Sequence, residues 1–449
     1  MKVGGAKGKT FHSFPLMKHF GTLEARCEVA NEEKEIWELS GTHKRLQTLI
    51  HHVNKKSLKE EHQRQSGDKA PGVDGVTKAD YSRNLDDNID DLLKRMKTFS
   101  YRPKPVRRTY IPKQGGKMRP LGIPSYEDKL VQGVMAKVLN DVYEPRFMDC
   151  SYGFRPDRSC HDVIRQINST IGRRPIGWVV EADIKGYFDN IDHSWLMKFL
   201  EHDIQDKNFL RYIVRFLKAG VMEEGQHLDS ERGSPQGGLI SPILANVYLQ
   251  YVLDIWFEKV VKPRMRGEAY LFRYADDFLA LFEYEDDARK YHEVLPKRLG
   301  KFNLEVAPEK TRMIPFGRSS GSRETFDFLG FTHINGKGRK GGYRVVHRTS
   351  KKRLVAKRQA MKQWLRLNMH NPVRDIIRGL NMRLVGHYRY YGISGNSKSL
   401  GKFHYYCVNT LFRVLRRRGQ KRKLNWATFG KILNAHNIAR PRVCVDIWH

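Results

Sequence analysis

The chain's 449 residues suffice for two or three domains, and 82 Lys and Arg against 49 Asp and Glu leave a net charge of +33. Such an imbalance points to a polyanionic partner, nucleic acid first, and with no apolar run near the ~20 residues that span a bilayer, an anionic membrane surface is the less favoured partner. Cys27, Cys150, Cys160, Cys407 and Cys444 show neither CxxC nor paired spacing, which excludes a zinc site and a disulfide framework and fits a reducing, cytoplasmic setting.

Residues 1–40 open with MKVGGAKGKTFHSFPLMKHFG, basic and free of acids until Glu24, and read as a flexible RNA-contacting arm; the lack of arginine in that stretch speaks against a targeting peptide. Further on, GWVVEADIKGYFDNID (177–192) predicts a strand over Trp178 to Ala182 that delivers Asp183 at its end and then turns into a helix. An acid there is costly unless it is paired or bound to a cation. In RGSPQGGLISPILANVYLQYVLDIWFEKV (232–260), Ser241 is placed to cap a helix with Pro242 at its first position. Leu244, Val247, Tyr248, Tyr251, Val252, Ile255, Trp256 and Val260 then recur at helical spacing. The preceding Gly-Ser-Pro-Gln-Gly-Gly is a backbone-permissive loop that something large can approach closely.

The next element is FRYADDFLAL (272–281). Apolar and polar residues alternate through Tyr270, Phe272 and Tyr274, break at Asp276 and Asp277, and resume at Phe278 to Phe282, which predicts a hairpin. Alone, such an Asp pair is more ordinarily a hydrated turn. If the Asp183 strand lies in the same sheet, however, three carboxylates converge at one edge, and divalent cations best relieve their repulsion. Hard oxygen ligands suit Mg²⁺, and two ions ~3.5–4 Å apart serve nucleotidyl transfer.

Residues 331–449 contain 28 Lys and Arg but only two acids, Asp375 and Asp446, so this last quarter carries most of the net charge. The glycine-rich stretch NGKGRKGG (335–342) marks the boundary as a flexible connection or a hairpin tip. Beyond it, KKRLVAKRQAMKQWLRLNM (351–369) sets Leu354, Met361, Trp364 and Leu365 on one helical face, and HYYCVNTLFRVLRRRG (404–419) predicts a second helix. Together they suggest a small basic helical domain that tracks phosphates. The tyrosines of GHYRYYG (386–392) suit either stacking on unpaired bases or core packing. Two acids are too few for a multi-carboxylate nuclease.

Nine blocks then carry a resemblance: APGVDGVT (70–77), IPKQGGKMRPLGIP (111–124), SYGFRPDRSC (151–160), DIKGYFDNI (183–191), GSPQGGLISPILANVYL (233–249), YADD (274–277), LEVAPEKT (304–311), FDFLGF (326–331) and LNMRLVGHYRYYG (380–392). In this order they resemble the reverse transcriptases encoded by group II introns, the maturase proteins, over about residues 40–430. The resemblance implies an α+β right-hand polymerase, with fingers and palm of antiparallel sheet plus helices followed by an all-α thumb. Its parts would be an arm (1–40), N-terminal extension and fingers (41–178), palm (179–335), thumb or maturase domain (336–435) and tail (436–449). It further implies that Asp183, Asp276 and Asp277 hold two Mg²⁺ ions, that Lys113 and Arg119 grip the triphosphate of the incoming dNTP, and that Phe188 is the steric gate against a ribose 2′-hydroxyl. Gln236 would line the nucleotide pocket, Lys310 would protonate the leaving pyrophosphate, and Leu329 to Phe331 would form a primer grip.

The implied function is RNA-directed DNA polymerase, assisting the splicing of a parent group II intron RNA and copying it into DNA. The implied partners are that RNA, an RNA template with a DNA or RNA primer, and target DNA, in a bacterial, cytoplasmic or nucleoid-associated setting, with a homodimer left open. Many members end in a DNA-binding segment and a metal-dependent endonuclease; without such ligands after about 430, a member that borrows an existing 3′ end as primer is expected. The alternatives are a host-adopted reverse transcriptase in repair or defence, and a splicing cofactor with a vestigial polymerase. Retention of all three carboxylates disfavours the second.

Overall fold

Among the described residues the first part of the chain forms eight strands, the longer ones on β-branched and aromatic runs: β1 (Val106–Pro112), β2 (Met118–Ile123), β3 (Trp178–Asp183), β4 (Val221–Glu223), β5 (Gln226–Leu228), β6 (Ala269–Tyr274), β7 (Asp277–Phe282) and β8 (Arg312–Pro315). The computed structural model describes residues 46–112, 118–228, 232–233, 237–338, 341–418 and 424–448. It divides between Glu324 and Thr325 into two compact units.

In the first unit one sheet has the order β2-β1-β4-β5 and a second, antiparallel throughout, the order β6-β7-β3-β8. The helix Glu285–Gly300 packs on β3, β7 and β8, and Cys160–Arg173 packs on β6. The helix Tyr126–Tyr143 is buried on nearly every side and touches both Lys55–Arg64 and Ser241–Leu249. Its apolar residues join the core that underlies the second sheet, and the polar groups buried with them are paired: Asp128 accepts from Tyr101 and Ser125, Lys129 donates to the Ala70 carbonyl and Gln132 accepts from the Leu239 N–H.

Three helical expectations are corrected. Ser241 is the first helical residue, not the cap, and Ile240 precedes it without a side-chain cap, so Pro242 takes the second position. After Leu249 the helix widens into π-turns at Gln250–Asp254 and Phe257–Val261. Each π-turn closes i to i+5 and advances the inward face, so Phe257 and Val261 are buried while Val260 faces outward. Likewise, no long helix follows β3 directly: Gly186, at φ 55°, turns the chain into a short 3₁₀ segment, Tyr187–Asp189, and the helix waits until His193.

The second unit begins with a three-stranded antiparallel sheet, β9 (Thr325–Phe328), β10 (Phe331–Lys337) and β11 (Tyr343–Thr349). The chain turns back as a hairpin within NGKGRKGG: Lys337, the last residue of β10, pairs with Tyr343, and the Gly338 N–H donates to the Gly342 carbonyl, while Arg339 and Lys340 lie outside the described residues. Helices Lys351–Leu367, Val373–Tyr391, Ser397–Arg416 and Trp426–Ala435 follow. Met361 and Leu365 are buried, and Trp364 receives the Arg383 guanidinium on its face at 3.9 Å. Tyr388 and Tyr391 lie in the core, which decides for packing at those two positions. The tail folds back: the Ser394 N–H donates to the Val445 carbonyl, Ser394 Oγ donates to Asp446, and Trp448 lies over Arg344. Among the described residues no helix is long and apolar enough to cross a membrane.

Among the described residues of this unit three histidines are buried. His333 and His347 meet edge to face at 4.7 Å, and His387 stacks on Phe403 at 4.0 Å. Burial drives all three imidazoles below their ordinary value, His347 and His387 to about 3, with Arg344 and Lys357 respectively adding to the effect and His347 to that on His333. The unfolded chain therefore takes up protons below about pH 6.5 that the folded unit refuses. The stability tied to these histidines is complete above that pH and lost as pH falls towards about 3. Thermal unfolding of the full chain is expected to shift downward between pH 7 and 4, and His347→Leu is expected to flatten that slope; an unchanged slope in the variant would count against the histidines as its source.

Candidate active site

The register of the antiparallel sheet builds the site. Asp183 ends β3 directly opposite Asp277, the first residue of β7, and Asp277 also pairs with Tyr274 of β6. Only Ala275 and Asp276 connect β6 to β7, and Ala275 adopts φ 59° to make so tight a turn. The three carboxylates therefore meet at one sheet edge, as the hairpin reading requires. Asp183 is buried, Asp276 half-buried and Asp277 exposed.

Their electrostatics show the cost. Burial and then the Asp183 charge push the Asp276 carboxyl above its ordinary value, against the pull of Arg119 and Lys310. Lys310 ends a short 3₁₀ turn, Pro308–Lys310, held beside β3 where the Ala307 N–H donates to the Asp183 carbonyl at 2.8 Å. Its ammonium pairs directly with Asp183 Oδ2. Burial lowers the Lys310 value, but the Asp183 hydrogen bond and charge, with Asp277 behind them, outweigh it and raise the net value.

Among the described residues no group of three His, Cys, Asp or Glu side chains is closed around a point as a finished metal cage. The donor chemistry nonetheless fits a hard divalent ion: three carboxylates share one edge, and a cation, the Lys310 ammonium, already offsets one of them. Lys310 thus stands beside a candidate metal ligand, a contact that block order along the chain did not reveal.

Arg119, on β2, is close enough for its charge to act on both Asp276 and Asp189. Phe188 is half-buried in the 3₁₀ turn after β3, beside Tyr187. Lys113 and Gln236 lie outside the described residues. Leu329 and Gly330 form the β9–β10 turn at φ 49° and 78°, and Tyr390 Oη donates to the Leu329 carbonyl at 2.9 Å. Two of the three glycines expected to let something large approach are instead closed in by the protein's own backbone. A Cβ on Gly233 would stand 2.9 Å from the Asp189 carbonyl, and one on Gly237 2.4 Å from that of Gly122.

One element of the site escaped the sequence reading. The alternation through Tyr270, Phe272 and Tyr274 leaves Arg273 among the polar positions, yet Arg273 is 0 % exposed, as is Asp254. Its guanidinium donates to Asp254 Oδ1 and Oδ2 at 2.7 and 2.5 Å, to Asn246 Oδ1 at 3.0 Å, to the Ala275 carbonyl at 3.1 Å and to Ser151 Oγ at 2.6 Å. All five N–H donors of the guanidinium are used. Asn246 in turn donates to the Gly153 carbonyl at 2.7 Å, and a Cβ on Gly153 would stand 2.3 Å from the Ala275 nitrogen. The carboxylate turn is thereby tied to the helix beneath it and to the SYGF loop beside it. The available signal was Asp254, a lone acid in the apolar run VLDIWF.

A family model described as reverse transcriptase (RNA-dependent DNA polymerase) matches residues 111–333. The chain is 46% identical over 165 residues to the group II intron-encoded protein LtrA of Lactococcus lactis, covering 36% of this chain and 27% of that protein. It is 41% identical over 174 residues to an uncharacterized 91 kDa protein in a cob intron of Schizosaccharomyces pombe, covering 39% and 21%. Protein YkfC of Escherichia coli is 32% identical over 313 residues, 62% of this chain and 80% of that protein. The first two relatives are thus matched over little more than a quarter of their own length or less. With the polymerase domain, the carboxylate edge and a relative matched over four-fifths of its length, the chain belongs to the group II intron-encoded reverse transcriptases and maturases.

Proposed function

We propose that this protein is an RNA-directed DNA polymerase that binds a parent group II intron RNA, assists its splicing and copies it into DNA at a new site. The observation that carries the reading is Asp183 facing Asp277 across β3 and β7 with Asp276 on the adjoining two-residue turn. These carboxylates would hold two Mg²⁺ ions, whose chemistry when bound is to activate the primer 3′-hydroxyl and neutralise the leaving pyrophosphate. Arg119 would meet the triphosphate of the incoming dNTP, with Lys113 and Gln236 completing the pocket. Lys310, raised above its ordinary value and so fully charged at neutral pH, would hand its proton to pyrophosphate. Phe188 would bar a 2′-hydroxyl. Fingers would give way to palm near residue 178, and the palm would end near Glu324 and not at 335, a position that lies within the β10–β11 hairpin of the second unit.

Extension of a DNA primer on an RNA template with Mg²⁺, abolished by EDTA and restored by added Mg²⁺, tests the polymerase. An inactive full chain over a range of templates and salts would leave only the splicing-cofactor reading. Crosslinking followed by sequencing of the bound RNA separates the tasks: one structured RNA enclosing this reading frame supports the maturase, and a broad spread of cellular RNAs supports host adoption.

RNA would be held by the basic second unit. Lys398, Lys402, Tyr405, Arg413 and Arg416 recur along one exposed face of the helix Ser397–Arg416, and Tyr405 is 72 % exposed. A flat ring amid cations suits stacking on an unpaired base. RNA affinity is expected to fall with a log–log salt slope of about −4 or steeper, equivalent to roughly six phosphate contacts. Tyr405→Ala is expected to weaken binding about tenfold at fixed salt without changing that slope, because it removes stacking and not charge. A flat slope would contradict the role given to this surface.

A further inference from the structure

Phe154 combines two properties that do not serve folding. It is a large apolar residue left 41 % exposed, and its backbone is left-handed at φ 62°, where a β-carbon and a bulky ring are penalised. A glycine would take that conformation freely. The ring is what the position retains in exchange for the strain, and the ring has a specific neighbour: it meets Phe188 edge to face at 6.3 Å and 79°.

Phe188 is otherwise held from within. Its ring meets that of Tyr187 at 5.4 Å and 61°, and Tyr187 is buried with its hydroxyl donating to the Ala245 carbonyl at 2.5 Å. On its backbone side, Gly233 at φ 84° packs so closely that a Cβ there would stand 3.0 Å from the Phe188 carbonyl. Phe154 is therefore the solvent-side support of a ring whose inner contacts are fixed. Its own place is set by the carboxylate turn: the Tyr152 N–H donates to the Arg273 carbonyl at 2.8 Å, and Gly153 is clamped between Asn246 and the backbone of Ala275.

We propose that Phe154 is a positioning residue that stiffens Phe188 and so sets how strongly the site discriminates deoxyribonucleoside from ribonucleoside triphosphates. The inference rests on the reading of Phe188 as the steric gate of a polymerase. A gate selects only as far as it cannot yield, and a 2′-hydroxyl adds a single oxygen, so a ring free to move by about an ångström no longer distinguishes the two sugars. Packed aromatic edges resist such motion; removing the outer one opens space on the side towards which Phe188 can swing.

The test is RNA-templated primer extension by the full chain with one dNTP or the matching rNTP, comparing kcat/KM for each, together with thermal unfolding. In Phe154→Gly the dNTP-to-rNTP ratio is expected to fall about tenfold, chiefly through a rise in rNTP use, the size of change that one misfitted group produces. The melting temperature is expected to hold or rise, since glycine removes the strain at φ 62°. Phe154→Tyr, which keeps the ring, is expected to retain the parent ratio. Adding Phe154→Gly to Phe188→Ala is expected to lower the ratio no further than Phe188→Ala alone, because one residue acts through the other.

A collapsed ratio in Phe188→Ala with an unchanged ratio in Phe154→Gly would overturn this inference and leave the gate standing. An unchanged ratio in Phe188→Ala would overturn the gate and the inference with it. Equal losses for dNTP and rNTP in Phe154→Gly, with a lower melting temperature, would make Phe154 a plain structural residue.

Discussion

Asp276→Asn is expected to lower primer extension at least about a thousandfold, some 4 kcal/mol of transition-state stabilisation, while the melting temperature holds or rises. The two effects have opposite sign for one reason. Burial and the Asp183 carboxylate push Asp276 above its ordinary value, so its charged form subtracts from stability at neutral pH. A neutral isostere relieves that repulsion and removes a candidate metal ligand in the same step, the trade expected of a group retained for function. Steady-state extension and thermal unfolding on the same preparation read both. Retained activity with a fall in melting temperature would make Asp276 an ordinary turn residue and take the proposed metal site with it.

Arg273→Met is expected to destabilise the first unit by about 3–5 kcal/mol, because it leaves the wholly buried Asp254 carboxylate without its counter-charge. The loss should appear as a lower urea midpoint with an unchanged m value. A lysine is no conservative replacement here, since it cannot supply the two parallel bonds to Asp254 together with those to Asn246, Ala275 and Ser151. Replacing both partners, Arg273→Met with Asp254→Leu, is expected to recover much of the stability, as buried ion pairs commonly allow. Extension should stay impaired in the double variant, because the Ala275 carbonyl and Ser151 hydroxyl have lost the donor that anchors the carboxylate turn. If the double variant recovered stability and full activity together, the network would be core filling and nothing more.

The charge asymmetry, the strand ending at Asp183, the Asp276–Asp277 hairpin and the helices of the basic region were legible in the sequence because each rests on local pattern. Period-2 alternation, period-3.6 recurrence and the residues around turns act over a few positions, and a run of letters records them directly. The meeting of Asp183 with Asp277 followed only if their strands shared a sheet, and the pairing of β3 with β7 decides that. What the tertiary structure alone decided involves residues far apart in the chain or a change of helical register. Arg273 looked like a polar strand position; it is buried against Asp254, the last residue of a π-turn. Lys310 looked like a separate proton donor; strand pairing sets it against Asp183. The glycines of the GSPQGG block looked like room for a substrate, and Gly233 and Gly237 are filled by the carbonyls of Asp189 and Gly122, which only the folded chain brings near. Local geometry is written in neighbouring residues, whereas the balance of buried charges depends on which distant groups the fold makes neighbours.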